Sequence, residues 1–190
     1  MTNNKKPKKV IAIIGMAGSG KTEAIEYLQK KYKWPKVYFA EAVFDQMKKE
    51  NLEINPANEQ YMRKKIREKF GMGVCAKFSI PKINKALTTN DLVLAESLYS
   101  WDEYKIIKIE YGDKFKVVAI NAASDIRFSR LKKRKIRPLK TFKEFLMRDW
   151  HEIEATDKGG PIAIADYTII NEGDLSELHR NIDKVIKKII

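Results

Sequence analysis

The chain has 190 residues, of which 44% are hydrophobic and 33% charged, and it carries a formal net charge of +13. This balance is typical of one globular domain of ordinary size, long enough to bury a real core. The single cysteine, Cys75, excludes an internal disulfide. Such sparse use of cysteine is typical of a reducing compartment, so we expect a cytoplasmic protein.

The excess of lysine and arginine attracts polyanions, either nucleic acid or small phosphorylated molecules. We prefer the interpretation that most of these lysines lie on solvated helix faces, so a nucleic-acid partner is the less favoured alternative. Residues 1–8 are predicted to form a frayed basic tail. The apolar run after this tail is too short for a signal peptide or a membrane span, so we expect no membrane partner. We also expect a monomer or a weak dimer.

Hydrophobic periodicity and turn residues predict strands that alternate with helices along the chain. The strands are predicted at residues 9–14, 36–40, 91–95, 116–121 and 167–171. The helices are predicted at residues 21–32, 42–49, 58–70, 74–87 (with a break at Pro81), 101–110, 124–134, 142–154 and 174–190. The alternation predicts an α/β fold in which a five-stranded parallel sheet lies between two layers of helices.

A glycine-rich stretch that ends in lysine and threonine follows the first strand. Its spacing, G-x-x-x-x-G-K-T between a strand and a helix, is typical of a phosphate-binding loop and less typical of a plain glycine turn. Backbone N–H groups of such a loop surround a phosphate, Lys21 adds a cation for the β- and γ-phosphates, and Thr22 can ligate magnesium. The residues predicted to bind the nucleotide are Gly15, Met16, Ala17, Gly18, Ser19, Gly20, Lys21 and Thr22.

Ligands of parallel sheets bind beyond the carboxyl ends of the strands. That rule predicts one crevice lined by the glycine loop, Glu41, Glu96 and residues 121–125. Glu41 is a candidate to accept or orient the proton of an acceptor hydroxyl, and Glu96 is a candidate magnesium ligand. The alternatives are an acid that favours the helix dipole for Glu41 and an ordinary exposed acid for Glu96.

The chain resembles the nucleoside monophosphate kinase superfamily of P-loop proteins. The likeness rests on the glycine loop, a helical insertion after the second strand, the Arg/Lys-rich stretch 130–148 and the ending Ala-Asp-Tyr-Thr-Ile-Ile-Asn-Glu-Gly at 165–173. Within the superfamily it is most similar to archaeal-type P-loop proteins related to dephospho-CoA kinase and adenylate kinase. The segments that carry this closer likeness are 51–58, 66–68, 76–77, Arg148-Asp149 and Glu152.

The resemblance implies a single domain in three parts. The core would comprise residues 9–40, 89–132 and 161–190, a substrate-binding insertion residues 41–88, and a lid residues 133–160 with Gly159-Gly160 as a hinge. The implied activity is transfer of the γ-phosphoryl group of ATP, with Mg²⁺, to a nucleoside monophosphate or a dephospho-CoA-like acceptor. Two features depart from the superfamily: Asp-Gly-x-x-Arg after the third strand is missing, and the substrate signature of adenylate kinase is absent.

Arginines are the candidates for binding anionic groups, because a guanidinium recognises phosphate through two parallel hydrogen bonds. Arg63 and Arg67, four residues apart on one predicted helix face, are predicted to bind the acceptor, with Arg67 the stronger candidate. The alternative for Arg63 is a solvated surface position or an ion pair with Glu59. Arg134 and Arg148 are predicted to cover the charge on the transferring phosphoryl group, so that the predicted catalytic residues are Lys21, Glu41, Arg134 and Arg148.

Other residues have less specific roles. Arg130 is predicted to contact the nucleotide, and both Arg127 and Arg130 are candidates to stack on adenine. Tyr32, Trp34, Trp101 and Trp150 are interpreted as core or lid packing residues, with stacking on a base as the alternative. Cys75 is interpreted as an inert packed thiol. Two further functions stay open: a nucleic-acid-associated or regulatory NTPase, supported by the net charge, and a nucleotide-binding protein without turnover.

Overall fold

The computed structural model describes residues 8–190, so the predicted basic tail lies, except for Lys8, outside the described residues. The strands are β1 (Lys9–Ile14), β2 (Lys36–Tyr38), β3 (Leu92–Glu96), β4 (Phe115–Asn121) and β5 (Tyr167–Ile170). The helices are α1 (Lys21–Tyr32), α2 (Glu41–Lys49), α3 (Pro56–Phe70), α4 (Val74–Thr89), α5 (Trp101–Tyr111), α6 (Ser124–Lys132), α7 (Phe142–Glu154), α8 (Gly159–Ala163) and α9 (Leu175–Ile189). Within the described part of the chain, no helix combines the length and apolarity that crossing a bilayer requires.

The five strands form one parallel sheet in the order β2-β3-β1-β4-β5. β1 is central, with Ile13 beside Glu96 of β3 and Val118 of β4. Because all strands run in the same direction, their carboxyl ends lie along one edge, where the glycine loop leaves β1. The predicted α/β fold, a five-stranded parallel sheet covered by helices, is confirmed.

Each central strand contributes side chains to two hydrophobic cores. In β1, Val10, Ala12 and Ile14 face the core shared with α2 to α5, whereas Ile11 and Ile13 face the core shared with α1 and α9. A strand buried on both faces has no solvent-facing positions, which explains its continuous apolar sequence.

Helix α7 lies outside these two cores and packs against the glycine loop. Its Phe145 is fully buried in a small cluster with Leu131 of α6 and Ala17 of the loop. The Thr141 hydroxyl accepts a hydrogen bond from the N–H of Glu144, whose carboxylate accepts one from the N–H of Thr141. This reciprocal cap defines where α7 begins.

The predicted break at Pro81 is wrong, because α4 continues through the proline to Thr89. Ile83 and Leu87, beyond the proline, are buried in the core beside the sheet. Burial of these side chains offsets the one backbone hydrogen bond that proline cannot donate.

The segment predicted to act as a hinge is helical in this structure, and its role as a hinge stays a prediction. Gly159 and Gly160 open the short helix α8, and a Cβ at Gly160 would be only 3.0 Å from the ring of Trp101. Two element ends shift as well: the second strand stops at Tyr38, where the chain turns into α2, and α6 stops at Lys132.

Candidate active site

The glycine loop connects β1 to α1 in a conformation that requires glycine. Gly15 and Gly20 have φ angles of 143° and 105°, in the region that side chains disfavour. A Cβ at Gly15 would overlap the carbonyl oxygen of Ile120, and one at Gly20 would overlap the side-chain amide of Asn171. These glycines therefore let the loop press against the ends of β4 and β5.

The first turn of α1 carries no side-chain cap. Its N-cap is Gly20, whereas side chains cap α3, α5, α7 and α9. The first N–H groups of a helix have no partner within it and lie at the positive end of the helix dipole. The Ser19 hydroxyl is also buried without a hydrogen-bond partner among residues 8–190. This donor set fits a phosphate.

Lys21 is partly buried and bends back onto the loop, where its Nζ donates to the Met16 carbonyl oxygen at 2.9 Å. Burial, together with the positive charge of Lys158, lowers the pKa of Lys21 from 10.5 to about 7. Arg148 and Arg134 act in the same direction. An anion bound beside this amine would therefore stabilise its charged form.

Lys158 is the second buried cation of this group. Its side chain forms an ion pair with Glu152, and its Nζ lies 4.5 Å from the ring centre of Tyr99. Burial lowers the pKa of Lys158. Burial alone would raise the pKa of Glu152, but the positive charges of Lys158 and Arg148 hold the pKa of this carboxyl below its usual value. We call Lys21, Arg134, Arg148 and Lys158 the cation cluster.

Asn171, the residue after β5, ties the glycine loop to the edge of the sheet. Its side-chain N–H donates to the Ser19 carbonyl oxygen at 2.7 Å, and its backbone N–H donates to the Asn121 carbonyl oxygen at 2.7 Å. Arg130 donates to the Asn171 carbonyl oxygen at 2.9 Å. Arg130 is thus close to the loop, and its contact with a nucleotide stays a prediction.

Arg127 is engaged inside the protein, so the prediction that it stacks on adenine is wrong. Its guanidinium pairs with both carboxylate oxygens of Asp149, at 3.0 and 2.6 Å, and also donates to the Ala17 carbonyl oxygen at 3.2 Å. The Arg127 side chain is 8% exposed and the Asp149 side chain 12%. The pair joins α6, α7 and the glycine loop.

Arg63 and Arg67 lie on α3, and each is partly buried. Burial raises the pKa of Glu103, and the positive charges of both arginines partly offset this rise. Burial also raises the pKa values of Tyr38 and Tyr99, and the charge of Arg63 partly offsets that rise. The Nε of Arg67 is buried without a hydrogen-bond partner in the described part of the chain. An orphaned guanidinium N–H beside a second arginine is a suitable position for an anion.

Two residues of the predicted lid, Lys158 and Arg137, have contacts outside it. The Tyr99 ring lies against Lys158, and the charge of Arg63 acts on its phenol. Arg137, in the connection between α6 and α7, forms an ion pair with Glu59 of α3 at 3.7 Å. Residues of the predicted lid therefore contact Tyr99, which follows β3, and α3 of the predicted insertion.

Comparison with known sequences identifies relatives along the whole chain, although no family model matches it. A UPF0200 protein of Pyrococcus furiosus is 34% identical over 182 residues, which cover 95% of this chain and 97% of that one. A UPF0200 protein of Methanocaldococcus jannaschii is 31% identical over 185 residues, which cover 95% and 90%. The chain belongs to the UPF0200 family.

Several solved structures resemble this UPF0200 protein. A shikimate kinase from Bacteroides thetaiotaomicron has a TM-score of 0.59 and 13% identity over 95% of this chain and 98% of that one. A shikimate kinase from Acinetobacter baumannii, in complex with shikimate, has a TM-score of 0.57 and 19% identity over 96% and 95%. A gluconokinase from Sinorhizobium meliloti has a TM-score of 0.54 and 12% identity over 98% and 97%. The UPF0200 protein has the fold of these P-loop kinases.

The two carboxylates predicted at strand ends, Glu41 and Glu96, each form an ion pair with a lysine of this chain. Glu41 is exposed and forms an ion pair at 2.8 Å with Lys82, which also binds Asp45. This ion pair links α2 to α4, and the role of Glu41 toward an acceptor hydroxyl stays a prediction. Glu96 lies at the carboxyl edge of the sheet, but its Oε2 is 2.7 Å from Nζ of Lys36. Its role as a magnesium ligand stays a prediction.

Sequence reasoning did not identify Lys158 and Asn171 as residues of the candidate site. Asn171 could have been found, because it follows the last strand at the same edge of the sheet as the glycine loop. Lys158 gives no such signal, since a lysine before two glycines is typical of an exposed turn. Its burial against Tyr99 is decided by packing between distant segments.

Cys75 and the three tryptophans have different surroundings in the structure. Cys75 is buried, and burial raises the pKa of its thiol to about 12, which confirms a packed thiol. Trp34 and Trp101 stack on neighbouring tyrosines, with ring centres 4.3 and 5.1 Å apart. The interpretation of Trp150 as a packing residue is wrong, because it is 54% exposed.

The ion pair between Arg127 and Asp149 predicts a large loss of stability in Asp149→Ala. The substitution leaves a buried guanidinium charge without its partner, which typically costs about 3–5 kcal/mol. Urea unfolding measures the loss. Asp113→Ala, at a fully exposed acid, is the control, and should change stability by less than about 0.5 kcal/mol. Equal effects of the two substitutions would contradict the assignment.

Proposed function

We propose that this protein is an ATP- and magnesium-dependent kinase that transfers the γ-phosphoryl group of ATP to a small anionic, nucleotide-like acceptor. The observation that carries the proposal is the uncapped glycine loop with Lys21, faced by the other three members of the cation cluster. Such a group of cations offsets the negative charge that spreads over a transferring phosphoryl group. The P-loop kinase fold supports the same conclusion.

The glycine loop would hold the phosphates of ATP through its backbone N–H groups, and Arg130 would contact the nucleotide. The exposed hydroxyl of Thr22 and the carboxylate of Glu96 would hold magnesium. Among residues 8–190, no group of three or more His, Cys, Asp or Glu side chains forms a separate metal site. Bound ATP supplies the phosphoryl group, while the residues of this chain position it and neutralise its charge.

The acceptor would lie beside Arg63 and Arg67, whose unpartnered Nε suits an anionic group. Tyr38 and Tyr99 line the same region and offer rings against which a planar group can pack. An anionic group joined to a planar ring describes a nucleotide. The resemblance to nucleoside monophosphate kinases and dephospho-CoA kinase decides which acceptors to test first.

A screen for acceptor-stimulated ADP release tests this function directly. The panel comprises nucleoside monophosphates, dephospho-CoA and shikimate, each with ATP and Mg²⁺. We expect at least one acceptor to stimulate ADP release, and Lys21→Ala to abolish that release while its thermal unfolding stays close to that of the unmodified chain. ADP release stimulated only by nucleic acid would favour the NTPase alternative, and ATP binding without product would favour a protein without turnover.

Proton uptake on nucleotide binding is a second expected property. At pH 8 the Lys21 amine, with its pKa lowered to about 7 by burial and Lys158, is mostly neutral. Phosphates beside it favour the charged form, so binding should take up close to one proton, roughly 0.9 for a site of this pKa. Calorimetry with a non-hydrolysable ATP analogue, in HEPES and in Tris, measures this number.

The same titration at pH 6 should show much smaller uptake by Lys21, because the amine is already protonated below its pKa. Lys158→Gln provides the matched variant. Removing the neighbouring charge raises the pKa of Lys21 toward its usual value, so uptake at pH 8 should fall. Absence of uptake at pH 8 in the unmodified protein would show that Lys21 is charged before the nucleotide binds.

The two arginine groups should affect different kinetic constants once the acceptor is known. Arg67→Ala should raise the acceptor KM more than it lowers kcat, because it removes binding present before the transition state. Arg148→Ala should mainly lower kcat, by about a hundred- to a thousandfold, because it removes a charge that stabilises the transferring group. Steady-state kinetics distinguishes the two effects.

Arg180, exposed on α9, is the matched control for both arginine groups. Arg180→Ala should leave KM and kcat unchanged. An unchanged acceptor KM in Arg67→Ala would contradict its role in binding the acceptor. An unchanged kcat in Arg148→Ala would contradict its role in phosphoryl transfer.

A further inference from the structure

The connection between α6 and α7 is the most basic part of the chain. Residues 132–143, which we call the basic segment, contain seven lysines and arginines and no acidic residue, in a chain with a net charge of +13. Apart from Leu139, all of its residues are exposed. The seven basic residues are Lys132, Lys133, Arg134, Lys135, Arg137, Lys140 and Lys143.

Most of these charges lack a carboxylate counter-ion among residues 8–190. Arg137 pairs with Glu59, and Arg134 belongs to the cation cluster. In that part of the chain, no carboxylate oxygen lies within 4.0 Å of the side-chain Nζ of the five lysines of the segment. Like charges held this close repel one another, and a bound polyanion relieves the repulsion.

Exposed apolar side chains lie next to these charges. Ile136 is 77% exposed, Phe142 46%, and Met147 and Trp150 each 54%. Trp150 follows Phe142 by eight residues on α7, so the two are about 12 Å apart along the helix axis. Lys143 and Trp150 are seven residues apart, nearly two helical turns, so the two side chains lie on one face of α7. An exposed indole ring on that face can stack on a nucleic-acid base.

We propose that the basic segment and Trp150 form a binding surface for single-stranded nucleic acid. The lysines would contact successive phosphates, and the Trp150 ring would stack on a base. The exposed acids Glu144 and Glu154 lie on the same helix, and an anionic membrane would repel them. A single strand can follow the lysines without covering those acids, which favours nucleic acid over a lipid surface.

Fluorescence anisotropy with a labelled 12-nucleotide single-stranded RNA and the full chain tests the surface. We expect saturable binding that weakens as the salt concentration rises. A variant with Lys132→Gln, Lys133→Gln, Lys135→Gln and Lys140→Gln should bind at least tenfold more weakly. Its dependence on salt should be flatter, by about 0.7 in the logarithmic slope for each phosphate contact removed. Trp150→Leu should lower the affinity by about fivefold or more.

The matched control removes the same number of charges elsewhere, by Lys30→Gln, Lys184→Gln, Lys187→Gln and Lys188→Gln on exposed positions of α1 and α9. It should change the affinity by less than about threefold. Equal losses in the two quadruple variants would reduce the surface to general attraction of a basic protein, and overturn the proposal. Tighter binding of a duplex of the same length would overturn it too, as would binding of phosphatidylserine vesicles in place of RNA.

This proposal is independent of the proposed kinase activity. Lys21→Ala should keep its affinity for the RNA, because Lys21 belongs to the glycine loop and not to the basic segment. Loss of RNA binding in Lys21→Ala would show that the RNA occupies the nucleotide site, and would overturn the separate surface.

Discussion

Crowding of positive charge around the Lys21 amine is the interaction on which the candidate site depends. The amine lies at the positive end of α1, and its charge is further disfavoured by burial and by Lys158. Glu152 compensates part of this charge through its ion pair with Lys158. A site that holds several cations close together without enough carboxylates is arranged for an anion that comes from outside the protein. The phosphate chain of a nucleotide has the required charge.

The rest of the core keeps this arrangement in place. Asn171 and Ile120 support the glycine loop from the ends of β5 and β4, so the loop position follows from the sheet. Arg127 and Asp149 join the loop to α7, which carries Arg148 and Glu152. The cations are therefore positioned by buried contacts and not by exposed side chains alone. Such support reduces the reorganisation that a ligand would require.

The predicted lid has two faces with different surroundings. Arg148 and Lys158 lie on the side of Lys21, where burial and mutual repulsion lower the pKa of the lysines. The lysines of the basic segment lie in solvent, where water screens their charges. The first face suits a small anion held in a partly dry site, and the second suits a long polyanion that stays hydrated. Arg134 is common to both, since it lies in the basic segment and its charge also acts on Lys21.

Local sequence determined the glycine loop between β1 and α1, the bounds of α1 at residues 21–32 and the parallel sheet, because spacing, turn chemistry and periodicity are properties of neighbouring residues. It also placed Arg63 and Arg67 on one helix face. It misjudged Pro81 and Trp150, whose environments depend on packing. Only the tertiary structure decided the partners of Glu41 and Arg127 and the burial of Lys158. Ion pairs and pKa values depend on groups that folding brings together, such as Asn171 and Ser19, which are 152 residues apart in the chain.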